Sequence, residues 1–325
     1  MIKKFIQKIF YFSLPVIAIA YPLDFGLSYY LKQTNSYPAE YEVWNDIYTS
    51  RAECDIAIYG SSRAWVHIDP EIISETLGGH VYNFGIDGHN FWLQYLRHLE
   101  FCKYNKKPSK IILSLDIFTL QKRRGLYELN QFLPYMLWNS NIRNYTSSYK
   151  GYNKIDYYVP LIRYLGKSNC LELIRNDIIN GPANFRYRKQ GFLGLNKKWN
   201  NDLDNAMKEM KSYEAKLDNE SIKLFEEFIL ECKSNDIELI FVYTPEYIEG
   251  QKFTVNRNDI IKLYNFYSKK YSIDFYDYSN DSLCYEKKYF YNANHLNKNG
   301  ARIFSKKLAS KIKLRNDQNI SRSNY

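Results

Sequence analysis

The chain has no pair of cysteines at metal-ligand or redox spacing. Its five cysteines, Cys54, Cys102, Cys170, Cys232 and Cys284, are scattered, and an odd count without a CxxC motif argues against zinc and against a disulfide framework. Cys54, Cys102 and Cys232 fall on apolar faces of predicted elements, so buried thiols are expected; an exported domain leaves one disulfide open, but no pattern selects it. Basic runs are also missing. The formal charge of +10 is spread so that no run exceeds two or three residues, and without a basic stripe or a known module no nucleic-acid partner is expected. Anionic glycan, a membrane surface or an ordinary solvated exterior suits such a charge equally well. There is no internal repeat, no low-complexity tract and no pattern that calls for a metal or a cofactor.

Aromatic residues are plentiful, 17% of 325 residues, and mostly tyrosine, 32 against five tryptophans. Packing accounts for most of them, although exposed tyrosine also stacks on sugars. The first thirty residues differ in kind. Lys3, Lys4 and Lys8 precede an apolar stretch from Ile9 to Tyr21, and apolar character resumes around Asp24 as far as Leu31. Lysines ahead of an apolar stretch keep the N-terminus in the cytoplasm and send the rest across the membrane. Residues 1–31 are therefore read as an uncleaved signal anchor, interrupted by Pro15, Pro22 and Asp24. A signal peptide cleaved after Ala18-Ile19-Ala20, or a buried amphipathic helix, is the alternative.

Residues 32–53 read as a polar linker or first peripheral helix, and an alternation of strands and helices then begins. Strands are predicted at 54–60, 80–84 and 110–117, separated by helices near 70–77 and 91–105. The alternation is lost from about 121 to 215, where Tyr, Asn, Arg and Gly dominate; a span so long without a strand reads as an insertion, a lid or a small helical subdomain. It resumes with a helix at 218–234, strands at 237–243 and 273–277, and helices at 257–270 and 297–313, before a polar tail at 316–325. Strand, helix and strand at this spacing imply right-handed crossovers and a doubly wound parallel sheet in three layers, over 54–315.

The first strand stops at Gly60-Ser61-Ser62-Arg63. A hydroxyl there stands at the carboxyl end of the sheet, where open α/β folds place their ligands. A serine needs a base, most often histidine. Of His67, His80, His89, His98 and His295, only His295 lies in a loop before the last helix that should return to the same edge. Ser62 and His295 are therefore the candidate pair.

Three separated stretches, covering roughly 54–120 and 237–312, resemble the SGNH or GDSL-like hydrolase superfamily. Gly60-Ser61-Ser62-Arg63 matches its first block and Asn83-Phe84-Gly85-Ile86-Asp87-Gly88 its second, while Asn292-Ala293-Asn294-His295 stands where the family has Asp-x-x-His. The resemblance implies a flavodoxin-like fold, Ser62 as nucleophile, His295 as base, and oxyanion donors at Ser62 and Gly88, with Asn90 standing in for the absent Gly-x-Asn-Asp block. Asn292 replaces the triad aspartate; it orients an imidazole but does not stabilise imidazolium as a carboxylate does. Arg63 and Asp116 are expected to pair beneath the nucleophile turn. Within the superfamily, the N-terminal anchor and His-Leu-Asn-x-x-Gly-Ala look most like the membrane-anchored proteins of polysaccharide O-acetylation and teichoic-acid D-alanylation. That implies acyl transfer or ester hydrolysis through acyl-Ser62 on a cell-envelope glycan or acylated small substrate outside the cytoplasm, with a membrane-bound O-acyltransferase as partner. The alternative is a catalytically inactive member that binds glycan or that partner. Tyr145, Tyr149, Tyr152, Arg186 and Arg188 in the insertion are read as scaffold or as sugar contacts.

Overall fold

The computed structural model describes residues 2–181 and 185–323. Residue 1 of the anchor, 182–184 of the insertion and 324–325 of the tail lie outside the described residues. In chain order, α1 (Ile2–Leu31) and α2 (Ser36–Tyr48) precede β1 (Ile56–Tyr59), which runs into the short helices α3 (Ser62–His67) and α4 (Pro70–Leu77). Then come β2 (Val81–Asn83), α5 (Phe91–Tyr104) and β3 (Lys110–Leu115), followed by α6 (Ser140–Thr146), α7 (Ser168–Asn180) and α8 (Asp202–Glu209). The chain ends with α9 (Asn219–Ser234), β4 (Glu238–Tyr243), α10 (Ile248–Phe253), α11 (Arg257–Tyr271), β5 (Asp274–Asp277), the hairpin β6 (Phe290–Asn292) and β7 (His295–Leu296), and α12 (Lys298–Ser323).

Strands β1 to β5 form one parallel sheet in the order β2-β1-β3-β4-β5. Its central strands are buried on both faces, which is why Ile56-Ala57-Ile58 and Ile111-Ile112-Leu113 are continuous apolar runs rather than alternating ones. On one face Ile58, Ile112 and Val242 pack with Ile68 and with Phe304, Leu308 and Ile312 of α12. On the other, Phe225 and Phe228 of α9 meet Phe241 and Tyr59 of the sheet and Phe91 of α5. This is the expected three-layer α/β fold. The strand order reverses at β1, so its switch point lies between the carboxyl ends of β1 and β3, where such sheets hold ligands.

The chain divides into two compact units, one of residues 1–45 and 123–187, the other of 46–122 and 188–325. The insertion is thus shared: 123–187 groups with the N-terminal helices and 188–215 with the sheet. In the first unit Asp24, which interrupts the apolar stretch, is buried and paired with Arg163 at 2.6 Å, and accepts from Leu161 N at 2.7 Å. Ser28 Oγ meets Tyr164 OH at 2.7 Å one turn further on. Tyr149 is buried and Tyr152 donates to Leu129 O, which makes both scaffold. By length and composition, Tyr11–Leu31 of α1 can cross a membrane.

Of the two readings of residues 32–53, the structure has the peripheral helix: residues 36–48 are helical, with Val43, Trp44 and Ile47 buried at helical spacing. Two segments differ from expectation. Helix α12 continues through 316–323, where no glycine or proline stops it. A helix starts at Ser62 itself, because Ser61 caps it by accepting from Arg63 N at 3.3 Å. The five cysteines are free, four of them buried and Cys102 half-buried.

Candidate active site

The turn that carries Ser62 is held from below. Gly60 has φ +151, and a Cβ there would lie 2.8 Å from the Cβ atoms of Ala64 and Ser114, so only glycine lets β1 turn into α3 against β3. Ser61 Oγ donates to Asp116 Oδ2 at 2.5 Å, which ties the ends of β1 and β3 together at the switch point. Asp116 Oδ1 accepts from Phe118 N at 2.7 Å and Thr119 Oγ1 at 3.2 Å. The expected Arg63–Asp116 pair does not form. Arg63 instead crosses beneath the turn to the end of β4, donating from Nη1 to Glu246 Oε1 at 2.6 Å, from Nε to Thr244 Oγ1 at 3.0 Å, and from Nη2 to Thr244 O. Glu246 also accepts from Tyr243 OH at 2.7 Å and from Arg257 Nε at 3.3 Å. Asp116 is already taken by three donors, and Thr244-Pro245-Glu246 lies on the same sheet edge.

Ser62, at the first position of α3, and His295, at the start of β7, meet as predicted: Ser62 Oγ lies 2.8 Å from His295 Nε2. His295 Nδ1 lies 2.9 Å from Asn292 Oδ1, which also accepts from Asn294 N at 3.1 Å. An amide oxygen can only accept, so Nδ1 carries the proton and the Nε2 lone pair faces the Ser62 hydroxyl. Tyr291 stacks on the imidazole with ring centroids 5.3 Å apart and 5° between planes, and His67 meets it edge-on at 6.1 Å. The ring is thereby fixed in its plane. His67 belongs to the frame: its Nε2 accepts from Leu296 N at 2.9 Å and its Nδ1 lies 2.9 Å from Thr244 Oγ1. The sequence carries no partner pattern that would have revealed it.

Burial first, and then the charge of Arg63, push His295 down to about 3; Lys197 acts in the same direction and Asp202 in the opposite one. The imidazole is therefore neutral near pH 7 and able to accept a proton. His67 is also pushed well below the ordinary imidazole value, by burial and by Arg63.

The second block is braced by Asn83. Its Nδ2 donates to Ala64 O at 2.9 Å and Ile68 O at 2.8 Å, and its Oδ1 accepts from Gly85 N at 2.9 Å. Arg97 and the buried Arg188 both donate to Gly85 O at 3.2 Å, and Arg188 lies over the Trp65 ring, a structural role rather than a sugar contact. Gly88 takes a left-handed turn, φ +67, in the loop that follows. Asn90 heads α5 without a side-chain capping bond, and its Oδ1 is buried with no hydrogen-bond partner.

A residue without any sequence signal completes the cluster. Asp202, at the start of α8, places Oδ2 3.3 Å from Asn292 Nδ2. It comes from a strap over 188–202 that is tied down by Leu193 N to Trp65 O, Lys298 N to Leu195 O and Asn200 N to Tyr291 O. Beside Asp202 and Asn292 opens a pocket of about 310 Å³ walled by Phe118, Leu203, Met210 and Phe253.

No family model and no curated protein matches the chain. Solved structures do. A Streptococcus pneumoniae protein named for platelet activating factor is 14% identical, with 84% of this chain and 90% of that one covered and a TM-score of 0.38. A Bacteroides fragilis protein named as an acylhydrolase is 12% identical, covering 79% and 87%, with a TM-score of 0.32. A GDSL-like lipase from Bacteroides thetaiotaomicron is 12% identical, covering 83% and 98%, with a TM-score of 0.36. These values assign no activity to the chain, whose chemistry rests on its own side chains.

Proposed function

We propose that the protein is a serine-dependent ester hydrolase or acyltransferase. The observation that carries this reading is the continuous hydrogen-bond path from Ser62 Oγ through both nitrogens of His295 to Asn292. Ser62 Oγ attacks the ester carbonyl carbon while its proton passes to His295 Nε2. Collapse of the tetrahedral intermediate breaks the carbon–oxygen bond to the leaving alcohol, which takes that proton. Water, or an acceptor hydroxyl, then attacks acyl-Ser62 with His295 as base, releasing acid or transferred ester and restoring the serine. The backbone N–H groups of Ser62 and Gly88, with the Asn90 side chain, are the proposed donors to the oxyanion, which they stabilise as it forms. A base of such low resting pKa is weak, and the negative charge growing on the oxyanion offsets the cost of protonating it.

Within this reading the substrate is an acylated glycan of the cell envelope or a small acyl donor. Support comes from the exposed Lys197, 5.6 Å from the Tyr291 ring that stacks on His295, and the exposed Lys287, 4.5 Å from the ring of Trp199 on the strap, cations that suit an anionic glycan. The lysines in the first turns of α1, ahead of its apolar span Tyr11–Leu31, support a membrane anchor with the sheet domain outside the cytoplasm, where it could work with a membrane-bound O-acyltransferase. A neutral amide behind a weak base favours the second reading, a silent binding protein. Both are tested by treating the full chain with a fluorophosphonate probe and an activated acetyl ester. Labelling at one serine, with turnover that falls by at least about three orders of magnitude in Ser62→Ala, is expected of the enzyme; Ser62→Ala reacting like the wild type refutes it.

A further inference from the structure

The site lacks a carboxylate on the histidine but has one a step further out. From the geometry we infer that Asp202 is a positioning residue of the site, acting on His295 through the Asn292 side chain. The inference rests on the serine-enzyme reading above and names the group that replaces the missing acid.

An asparagine side chain can point either way, and here its two neighbours decide. Asn292 Oδ1 faces Asn294 N, which can only donate, at 3.1 Å, and Nδ2 faces Asp202 Oδ2, which as a carboxylate can only accept, at 3.3 Å. Flipped, the amide would set its own donor against the Asn294 N–H and its oxygen against the carboxylate. The observed orientation is thus fixed from both ends, and it turns Oδ1 to His295 Nδ1. The tautomer that leaves Nε2 free for Ser62 follows from it. Asp202 also contributes charge. A carboxylate accepting from Nδ2 draws the amide dipole toward itself and makes Oδ1 a stronger acceptor, so the chain of bonds strengthens along its length.

Asp202 is held for this task although its residue is exposed. Its Oδ2 accepts from Asn200 Nδ2 at 2.7 Å, its own N donates to Asn200 Oδ1 at 3.1 Å, and Asn200 N is bonded to Tyr291 O at 2.9 Å. The same loop thus carries the acid and anchors it to the strand that bears Asn292. The groups facing His295 are Arg63 and His67 from α3, Tyr291 from β6, and Lys197 and Asp202 from the strap; Asp202 alone of these raises its affinity for a proton, against Arg63 and Lys197.

The test uses the full chain with 15N-labelled histidine, and two readouts. The first is the imidazole nitrogen shifts of His295, which need no activity: the wild type is expected to show Nδ1–H alone, and Asp202→Asn a mixture with the Nε2–H tautomer. The second is the rate of fluorophosphonate labelling of Ser62 against pH. Asp202→Asn is expected to label about tenfold more slowly near neutrality, the effect of about one pKa unit at the base, with its acid limb at lower pH, and Asp202→Glu to recover part of the rate. In an Asn292→Asp background the carboxylate sits on Nδ1 directly, so adding Asp202→Asn should cost nothing. An unchanged tautomer in Asp202→Asn overturns the inference, as does an equal loss of rate in both backgrounds, which would mark Asp202 as merely structural. A wild-type protein that the probe does not label at all refutes the enzyme reading instead, and the tautomer measurement still decides the role of Asp202.

Discussion

Arg63→Met removes the cation on which the turn carrying Ser62 rests. Both partners of the Arg63–Glu246 pair are almost fully buried, at 2% and 3% of side-chain exposure. Breaking such a pair by deleting one member costs about 3–5 kcal/mol, because the other charge is left without its partner in a medium that solvates it poorly. Here Glu246 keeps Arg257 Nε at 3.3 Å and Tyr243 OH at 2.7 Å. The expected loss is therefore at the low end, about 3 kcal/mol, even though Thr244 O and Oγ1 lose their guanidinium donors as well. Methionine fills most of the stem volume, which keeps a cavity contribution small. For a unit of this size that loss corresponds to a fall in Tm of about 6–12 °C, read by tryptophan fluorescence in thermal and urea unfolding. Adding Glu246→Gln removes the orphaned charge, so the double variant should lose less than the two single losses added. Removing the Arg63 charge also relieves one of the causes that hold His295 low, and the acid limb of Ser62 labelling should move to higher pH. A Tm within 2 °C of the wild type, or strict additivity in the double variant, refutes this account of the ion pair.

Two further outcomes concern the histidines of the site and α1. His295 and His67 bind a proton far less readily folded than unfolded, so below about pH 6.5, and for His295 down to about pH 3, the unfolded chain holds more protons; stability should be complete above pH 6.5 and fall on acidification by up to about 1.4 kcal/mol per pH unit for each histidine, and equal urea midpoints at pH 7 and pH 5 would refute it. If α1 serves as an uncleaved anchor, the mature protein should stay with the membrane after alkaline extraction and retain its first residues; a mature N-terminus at Tyr21 refutes the anchor.

How far the site could be read in advance depends on how local each constraint is. Ser62 was legible because an apolar run, a glycine and a hydroxyl stand next to one another, and the strain at Gly60 that enforces the turn comes from atoms four residues away and from the adjoining strand. His295 was legible by position, since a loop before the last helix of an alternating fold returns to the carboxyl edge. The partner of Arg63 was not. Asp116 and Glu246 both end strands on that edge, and choosing between them required knowing that Ser61 and the 118–119 turn already satisfy Asp116. Asp24 was misleading for a related reason: in a linear pattern it is a charge spoiling an apolar helix, whereas its ion pair with Arg163 lies 139 residues away. Asp202 lay furthest out of reach. It belongs to an irregular strap whose course is set by backbone hydrogen bonds to separate elements, β2, α3, β6 and α12, and no periodicity records such bonds. The sequence therefore showed the missing carboxylate at position 292 as a gap, while the group placed to fill it depends on the tertiary fold of the insertion. An Asp-x-x-His motif carries base and acid in one turn of chain; dividing the acid between Asn292 and Asp202 makes the competence of His295 depend on the strap being docked.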